Sequence, residues 1–349
     1  MSQNSKYVCL KCQGESFIKY STLWTCENCK HNFPCAKGMP KMYIENEIGA
    51  EDKSLRDYFY NGILGKFYQF LMPFMTLPAR PLNKSKRDWL LYFFSVTIII
   101  LLIYKNVTIL SGHNQFSTYL GSLINVFSIG SLLLILFFFI KHPYFLYLHI
   151  LAIPVKISLS INKYHPENSF VDTHSKIIEN LLKTKGKKLK VLDISTGTGN
   201  SLFRHGWMKL DADYTGLDLS EIMLTQCQDF MSDNNIPVDL IIGDATTLPF
   251  SDEYFDVILN YGAINGYSDI KKALAEMARV VKKDGLVLFL DEQLYSNAST
   301  VEKLYFKKVL SSHNLIHHCP VEFLPSNVCD IEVYQVYEFY YICTFKVKQ

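Results

Sequence analysis

Two groups of residues in this sequence have types and spacings that can do chemistry. The first is four cysteines, Cys9-x2-Cys12 and Cys26-x2-Cys29, with thirteen residues between the pairs. Each turn presents two thiolates to one ion about 2.3 Å away, and two such turns complete a tetrahedron. Soft sulfur favours Zn²⁺, or iron in a rubredoxin-like site. The spacing reads as a structural Zn²⁺ held by Cys9, Cys12, Cys26 and Cys29. Four thiolates leave no open position, so the ion folds the segment and does not catalyse. His31 and Cys35 stay outside the site. The second group is a glycine-rich turn followed by acids at intervals. Lys190–Ile194 reads as a buried strand and Ser195-Thr196-Gly197-Thr198-Gly199-Asn200 as the turn after it. Gly197 and Gly199 permit φ > 0 and close approach of a ligand, and a helix start behind them can hold a carboxylate. Asp218 ends the next strand, 19 residues beyond Gly199. That spacing suits a carboxylate bound to ribose hydroxyls.

The nucleotide can be narrowed from the same residues. A dinucleotide fingerprint requires a third glycine three positions on, where Leu202 stands. Asp193 precedes the loop, and a carboxylate there attracts a cationic methionine group and repels a pyrophosphate. The loop therefore favours S-adenosyl-L-methionine over NAD. Asp239–Gly243 reads as a third strand, and Asp244 after it can accept from the adenine amino group. Phe255–Asn260 reads as a fourth strand, delivering Asn260 and Tyr261 to the cleft. Lys271–Glu292 reads as an amphipathic helix, a tight turn at Asp284-Gly285 and a fifth strand. Methyl transfer needs a base only where the nucleophile carries a proton that must leave. Tyr164, His165, His174 and Tyr261 are near enough to consider, and none is assigned as a base.

These residues need a frame, and the chain supplies four segments. Residues 1–45 are a Cys-rich module. Residues 52–80 are amphipathic, with Phe59, Ile63, Phe67, Phe70 and Phe74 on one helical face; that face suits either a membrane interface or packing on the C-terminal domain. Residues 165–349 alternate strand and helix signals, the pattern of an α/β domain with a mostly parallel sheet. Residues 338–347 read as its antiparallel edge strand. Residues 88–162 are different. Between Asp88 and Lys141 the one charge is Lys105, and from Trp89 to Pro166 there is no Asp or Glu. Spans of about 89–110 and 116–140 match the ~20 apolar residues that cross a bilayer, and 143–161 reads as interfacial. Arg80, Lys84, Lys86 and Arg87 before the hairpin, and Lys141, Lys156 and Lys163 after it, place both termini in the cytoplasm. A net charge of +2 over 349 residues gives no electrostatic case for nucleic acid.

Two resemblances add to this reading. "VCLKCQGESF…LWTCENCKHNFPCAKGMPKMY" resembles the zinc ribbon that opens many bacterial methyltransferases, and ribbons of this kind serve as docking or substrate-contact modules. Val191–Glu292, through "DISTGTG", "GLDLS", "GDATTLPF", "FDVI" and "ARVVKKDG", resembles class I S-adenosylmethionine-dependent methyltransferases, and is similar to ubiquinone/menaquinone C-methyltransferases. The family usually has Gly where Ser195 stands. The resemblance implies a Rossmann-like, seven-stranded, mostly parallel sheet. It places Asp193, Gly197 and Gly199 at the methionine end of the cofactor and Asp218 on ribose, with Ser195 among the cofactor-binding residues. It places Leu219 beside adenine, Asp244 and Ala245 around adenine, and Asn260 near the reacting methyl.

The expected function is a membrane-anchored methyltransferase acting on a lipid-soluble acceptor, such as a quinone or a phospholipid amine, at the cytoplasmic face. The expected partners are the lipid bilayer, that acceptor and a protein docked through the ribbon. The alternatives are a membrane-tethered RNA or protein methyltransferase, and a non-catalytic cofactor-binding scaffold.

Overall fold

The computed structural model describes residues 5–66, 170–183, 188–307, 315–336 and 339–348. The expected hairpin at 88–162, the aromatic positions beyond Lys66, and Tyr164 and His165 lie outside these residues. Among the described residues, no helix is long and apolar enough to cross a membrane. The chain divides into two compact units. One comprises Met1–Gln69, His165–Ala298 and Leu310–Gln349, and the other Phe70–Tyr164 and Ser299–Val309. The described part of the second unit carries the short helix Thr300–Tyr305, whose Ser299 and Glu302 form a capping box.

The first unit is built on a sheet. The ribbon supplies β1 (Phe17–Lys19), β2 (Leu23–Cys26), β3 (Asn32–Ala36) and β4 (Met39–Met42). The main sheet uses β5 (Leu189–Ile194), β6 (Ala212–Asp218), β7 (Val238–Gly243), β8 (Phe255–Tyr261), β9 (Val281–Glu292), β10 (Val328–Gln335) and β11 (Tyr340–Val347). Their order is β7-β6-β5-β8-β9-β11-β10. The first five are parallel and β11 is antiparallel to both its neighbours. This is the Rossmann-like arrangement of seven mostly parallel strands.

The central strands read as continuous apolar runs because both faces are covered. Leu192 and Ile194 join one core with Ala273, Leu274 and Met277 of a helix spanning Ile270–Val280. Val191 joins the opposite core with Leu224, Cys227 and Met231 of the helix Glu221–Asp233. Side-chain alternation along a strand places the neighbours on opposite faces. The expected turn at Asp284-Gly285 is a kink within β9, with Asp284 at φ +60°.

The expected edge strand is corrected. β11 lies inside the sheet, and β10 forms the edge. Tyr341, Ile342, Cys343 and Phe345 are all fully buried, which an edge strand with an open side does not require. β10 has the exposed pattern and a register break between Cys329 and Glu332, the kind of irregularity that blunts an edge.

The ribbon is joined to this sheet. β4 pairs in parallel with β7, Lys41 opposite Ile242 and Met42 opposite Gly243. Met42 is fully buried in the core that includes Ile241 and Leu248. Val8 N–H donates to Pro249 O at 3.1 Å, and Tyr7 packs between Trp24 and Phe250. Lys6 Nζ reaches Asp239 at 2.6 Å, and the Tyr7 hydroxyl donates to the same carboxylate.

Candidate cofactor site and metal centre

The four cysteine sulfurs converge. All lie within 4.8 Å of one another, with Cys9–Cys29 and Cys12–Cys26 each at 3.6 Å. A tetrahedron with bonds near 2.3 Å has edges of about 3.8 Å, so the separations fit one ion and are far too long for disulfides. The two turns are built alike. Gln13 N–H donates to Cys9 O at 2.8 Å and Lys30 N–H to Cys26 O at 2.9 Å. Gln13 and Lys30 both take φ +58°, the left-handed step that turns the backbone back under the sulfurs. Cys35 contacts Tyr20 O and His31 packs on Phe33; neither joins the cluster.

The second site is the carboxyl edge of the parallel strands. β5 ends at Ile194, and the loop that follows carries three left-handed residues, Ser195 (φ +54°), Gly197 (φ +55°) and Gly199 (φ +76°). Gly197 has open space where a Cβ would stand, whereas a Cβ on Gly199 would meet Met231 Cε at 2.6 Å and Cys227 Sγ at 2.7 Å. The first glycine leaves room for a ligand, and the second lets the loop pack on the helix Glu221–Asp233. Ser195 accepts a conformation that costs most side chains roughly 1–2 kcal/mol. Its Oγ is held 2.6 Å from the Tyr267 hydroxyl.

Asp193 is 1% exposed, and its Oδ2 accepts from Thr196 Oγ1 at 2.6 Å. Burial pushes its carboxyl up to about 7. Asp218 fastens the loop to β6, accepting from Gly197 N–H at 2.9 Å and Ser220 N–H at 2.8 Å. Burial raises it to about 6 against the opposing pull of those amides. Asp244 follows β7 and accepts from Thr246 N–H at 2.8 Å; Ala245 beside it is buried. Leu219 lines a cleft of about 210 Å³ with Tyr43, Arg56, Asn61 and Ile242. Asn260 has no exposed surface, and its Nδ2 donates to Ile194 O at 3.0 Å and Tyr267 OH at 2.7 Å. It ties β8 to the end of β5 and to Tyr267.

Three of these residues keep a buried oxygen with no partner: Asp193 Oδ1, Asp244 Oδ2 and Asn260 Oδ1. Buried acceptors are nearly always satisfied in folded proteins, so three such oxygens toward the carboxyl ends of β5, β7 and β8 mark the place of a ligand rich in donors. An amino-acid ammonium, ribose hydroxyls and an adenine amino group fit this donor demand. The cation of such a ligand also offsets the desolvated carboxylate of Asp193.

The structure also brings together residues the sequence pattern did not connect. Tyr267 joins Ser195 to Asn260, and no motif signals it. Ser220 caps the helix Glu221–Asp233 through Met223 N–H, a role visible in sequence as a serine just before a helical run. At the end of β8, His174 Nε2 lies 2.9 Å from Tyr261 OH, to which Trp207 Nε1 donates at 2.5 Å. His174 stacks on His205 at 5.0 Å. Two of the four residues considered as bases therefore sit together.

Residues 192–289 match a family model described as a methyltransferase domain. A Mycobacterium ulcerans protein named phthiotriol/phenolphthiotriol dimycocerosates methyltransferase 1 is 34% identical over 132 residues, 38% of this chain and 43% of that one. The ubiquinone/menaquinone biosynthesis C-methyltransferase of Laribacter hongkongensis is 34% identical over 136 residues, 37% of this chain and 54% of that one. The chain thus spans about half the length of the curated relatives it matches. Among solved structures, a Haemonchus contortus phosphoethanolamine N-methyltransferase 2 superimposes with TM-score 0.40 at 17% identity, over 50% of this chain and 52% of that one.

Proposed function

We propose, from the methyltransferase domain at residues 192–289, that this protein transfers a methyl group from S-adenosyl-L-methionine to a lipid-soluble acceptor at a membrane surface. The observation that carries the cofactor is the set of unpartnered oxygens on Asp193, Asp244 and Asn260 toward the carboxyl ends of β5, β7 and β8. The lipid acceptor draws support from the matched relatives, whose names specify a phthiotriol dimycocerosate and a quinone pathway. The apolar run at 88–162 supports a two-span anchor, and its flanking bases support a cytoplasmic domain.

The bound cofactor supplies an electrophilic methyl on a sulfonium. The chain's residues do the positioning, which is the main demand of an in-line displacement. Asp193 and the Gly197–Gly199 backbone hold the methionine end. Asp218 accepts from ribose, and Asp244 accepts from the adenine amino group. Leu219 and Ala245 give adenine an apolar flank that excludes water. Tyr261, buried beside Asp193 and bonded to His174, shapes the side from which an acceptor approaches; burial raises its hydroxyl well above the usual phenol range. The ribbon holds a structural zinc through its four cysteines and also offers a surface to a protein partner.

The test is transfer of radiolabelled methyl into a membrane extract, followed by separation of lipid, RNA and protein. Label is expected in lipid and is expected to fall at least a hundredfold with Asp218→Ala. Label confined to RNA or protein would replace the lipid acceptor with a macromolecular one.

A further inference from the structure

The segment between the ribbon and the apolar region is a short helix, Ala50–Ser54, that widens into a π turn over Leu55–Tyr60. The widening shows in Asn61 N–H, which donates to Arg56 O five residues back at 2.7 Å. Such turns recur at functional sites because they redirect side chains within a helix.

Both ends of this segment are tied to the cofactor site. At one end the Asp52 carboxylate accepts from Ser268 N–H at 3.3 Å and from the Ser268 hydroxyl. Gly49 makes that approach possible, since a Cβ there would lie 1.9 Å from Ser268 Oγ. Ser268 follows Tyr267, which holds Ser195 and Asn260. At the other end Asn61 Oδ1 accepts from Ser220 Oγ at 2.7 Å. Ser220 N–H in turn donates to Asp218. One anchor therefore follows β8 and the other follows β6, and β5 with its glycine loop lies between those strands.

The lengths agree with a crossing over that loop. Nine helical steps from Asp52 to Asn61 cover at most about 14 Å, less by what the π turn shortens, and two strand spacings come to about 10 Å. The middle of the segment is fixed from the ribbon side. Arg56 is buried; its guanidinium donates to both Glu45 oxygens at 2.8 and 3.0 Å and lies 5.8 Å from the Tyr43 ring. Arg56, Asp57 and Asn61 of the segment line the 210 Å³ cleft together with Leu219 and Ile242. Pockets that bury a whole drug-sized ligand run to roughly 300–1,000 Å³, so this cleft suits one end of a cofactor.

We propose that residues 49–61 are a strap that closes the cofactor cleft over its glycine loop, with Asp52 and Asn61 as the positioning residues that latch it. The inference rests on the S-adenosylmethionine reading above. Each latch residue acts through a neighbour, Asp52 through Ser268 and Tyr267, Asn61 through Ser220 and Asp218. Losing a latch opens the cleft to solvent and shortens the cofactor's residence.

The experiment follows S-adenosylmethionine binding to the full chain in detergent by stopped flow. The wild type is expected to bind. Asp52→Ala and Asn61→Ala are each expected to raise the dissociation rate about tenfold, the scale of one lost hydrogen bond to a charged or polar partner. Tyr20→Ala, outside the strap and 64% exposed, is expected to leave it unchanged. A second readout does not depend on the variants folding: saturating cofactor is expected to slow chymotryptic cleavage at Tyr58 in the wild type. Cofactor binding with unchanged variant rates, or with no protection at Tyr58, would overturn the strap alone. A wild type that does not bind would overturn the cofactor reading and the strap together.

Discussion

Asp193 is a carboxylate at 1% exposure, and burial shifts its proton affinity up to about 7. Asp218 is raised to about 6 by the same cause. An unfolded aspartate titrates near 3.9. Between roughly pH 4 and 7 the native chain therefore keeps protons that the unfolded chain has released, and stability falls as pH rises through that window. A cationic ligand reverses the preference, because it favours the ionised carboxylate. Affinity for S-adenosylmethionine is expected to rise from pH 5 to 7.5 with proton release, and titration calorimetry across that range measures both. Asp193→Asn is expected to flatten the rise and weaken binding about tenfold at pH 7.5. A pH profile equal to the wild type's would remove Asp193 from the cation's surroundings. Ser195 belongs to the same scale: its left-handed φ is held by one bond to Tyr267, where glycine would have held it without assistance.

At the scale of elements, burial on one or both faces decides where a strand sits. β11 is buried on both faces and occupies the interior of the sheet; β10 is exposed along half of its length and occupies the rim. Phe345 is fully buried and Val333 is 43% exposed. Phe345→Ala is expected to cost about 3–5 kcal/mol, and Val333→Ala at most about 0.5 kcal/mol. Urea unfolding followed by tryptophan fluorescence separates the two, and equal costs would contradict the strand order. The run of residues 338–347 is legible in the sequence as an antiparallel strand, whereas its place inside the sheet follows only from β10 pairing on its outer side.

At the scale of the molecule, the ribbon and the methyltransferase sheet share hydrogen bonds and core. β4 extends the sheet beyond β7, and Tyr7, Trp24 and Met42 pack in one cluster with Ile241, Phe250 and Phe255. Strand β4 of the ribbon covers the β7 edge, so a metal bound by the four cysteines would stabilise both. One zinc per chain is expected by elemental analysis. Its removal by a strong chelator is expected to lower the melting temperature of the methyltransferase domain in a single transition. Two transitions, with the upper one unmoved by chelation, would show that the ribbon folds apart from the sheet.

The sequence by itself determined the features that depend on local spacing. Two Cys-x2-Cys turns bring their sulfurs together through a few bonds each. The run from Lys190 to Gly199 sets a strand, a left-handed loop and a helix start within ten residues. The acids Asp218 and Asp244 follow from the ends of legible strands. The apolar stretch at 88–162 is equally a sequence property. Tertiary structure alone decided which distant residues hold those features in place. Nothing periodic links Tyr267 to Ser195, Asn61 to Ser220, Asp52 to Ser268, or β4 to β7. Each of these joins residues far apart in the chain and is repeated nowhere along it. Such contacts arise when the sheet is assembled and its open edges and unpaired groups are satisfied by whatever chain lies nearest.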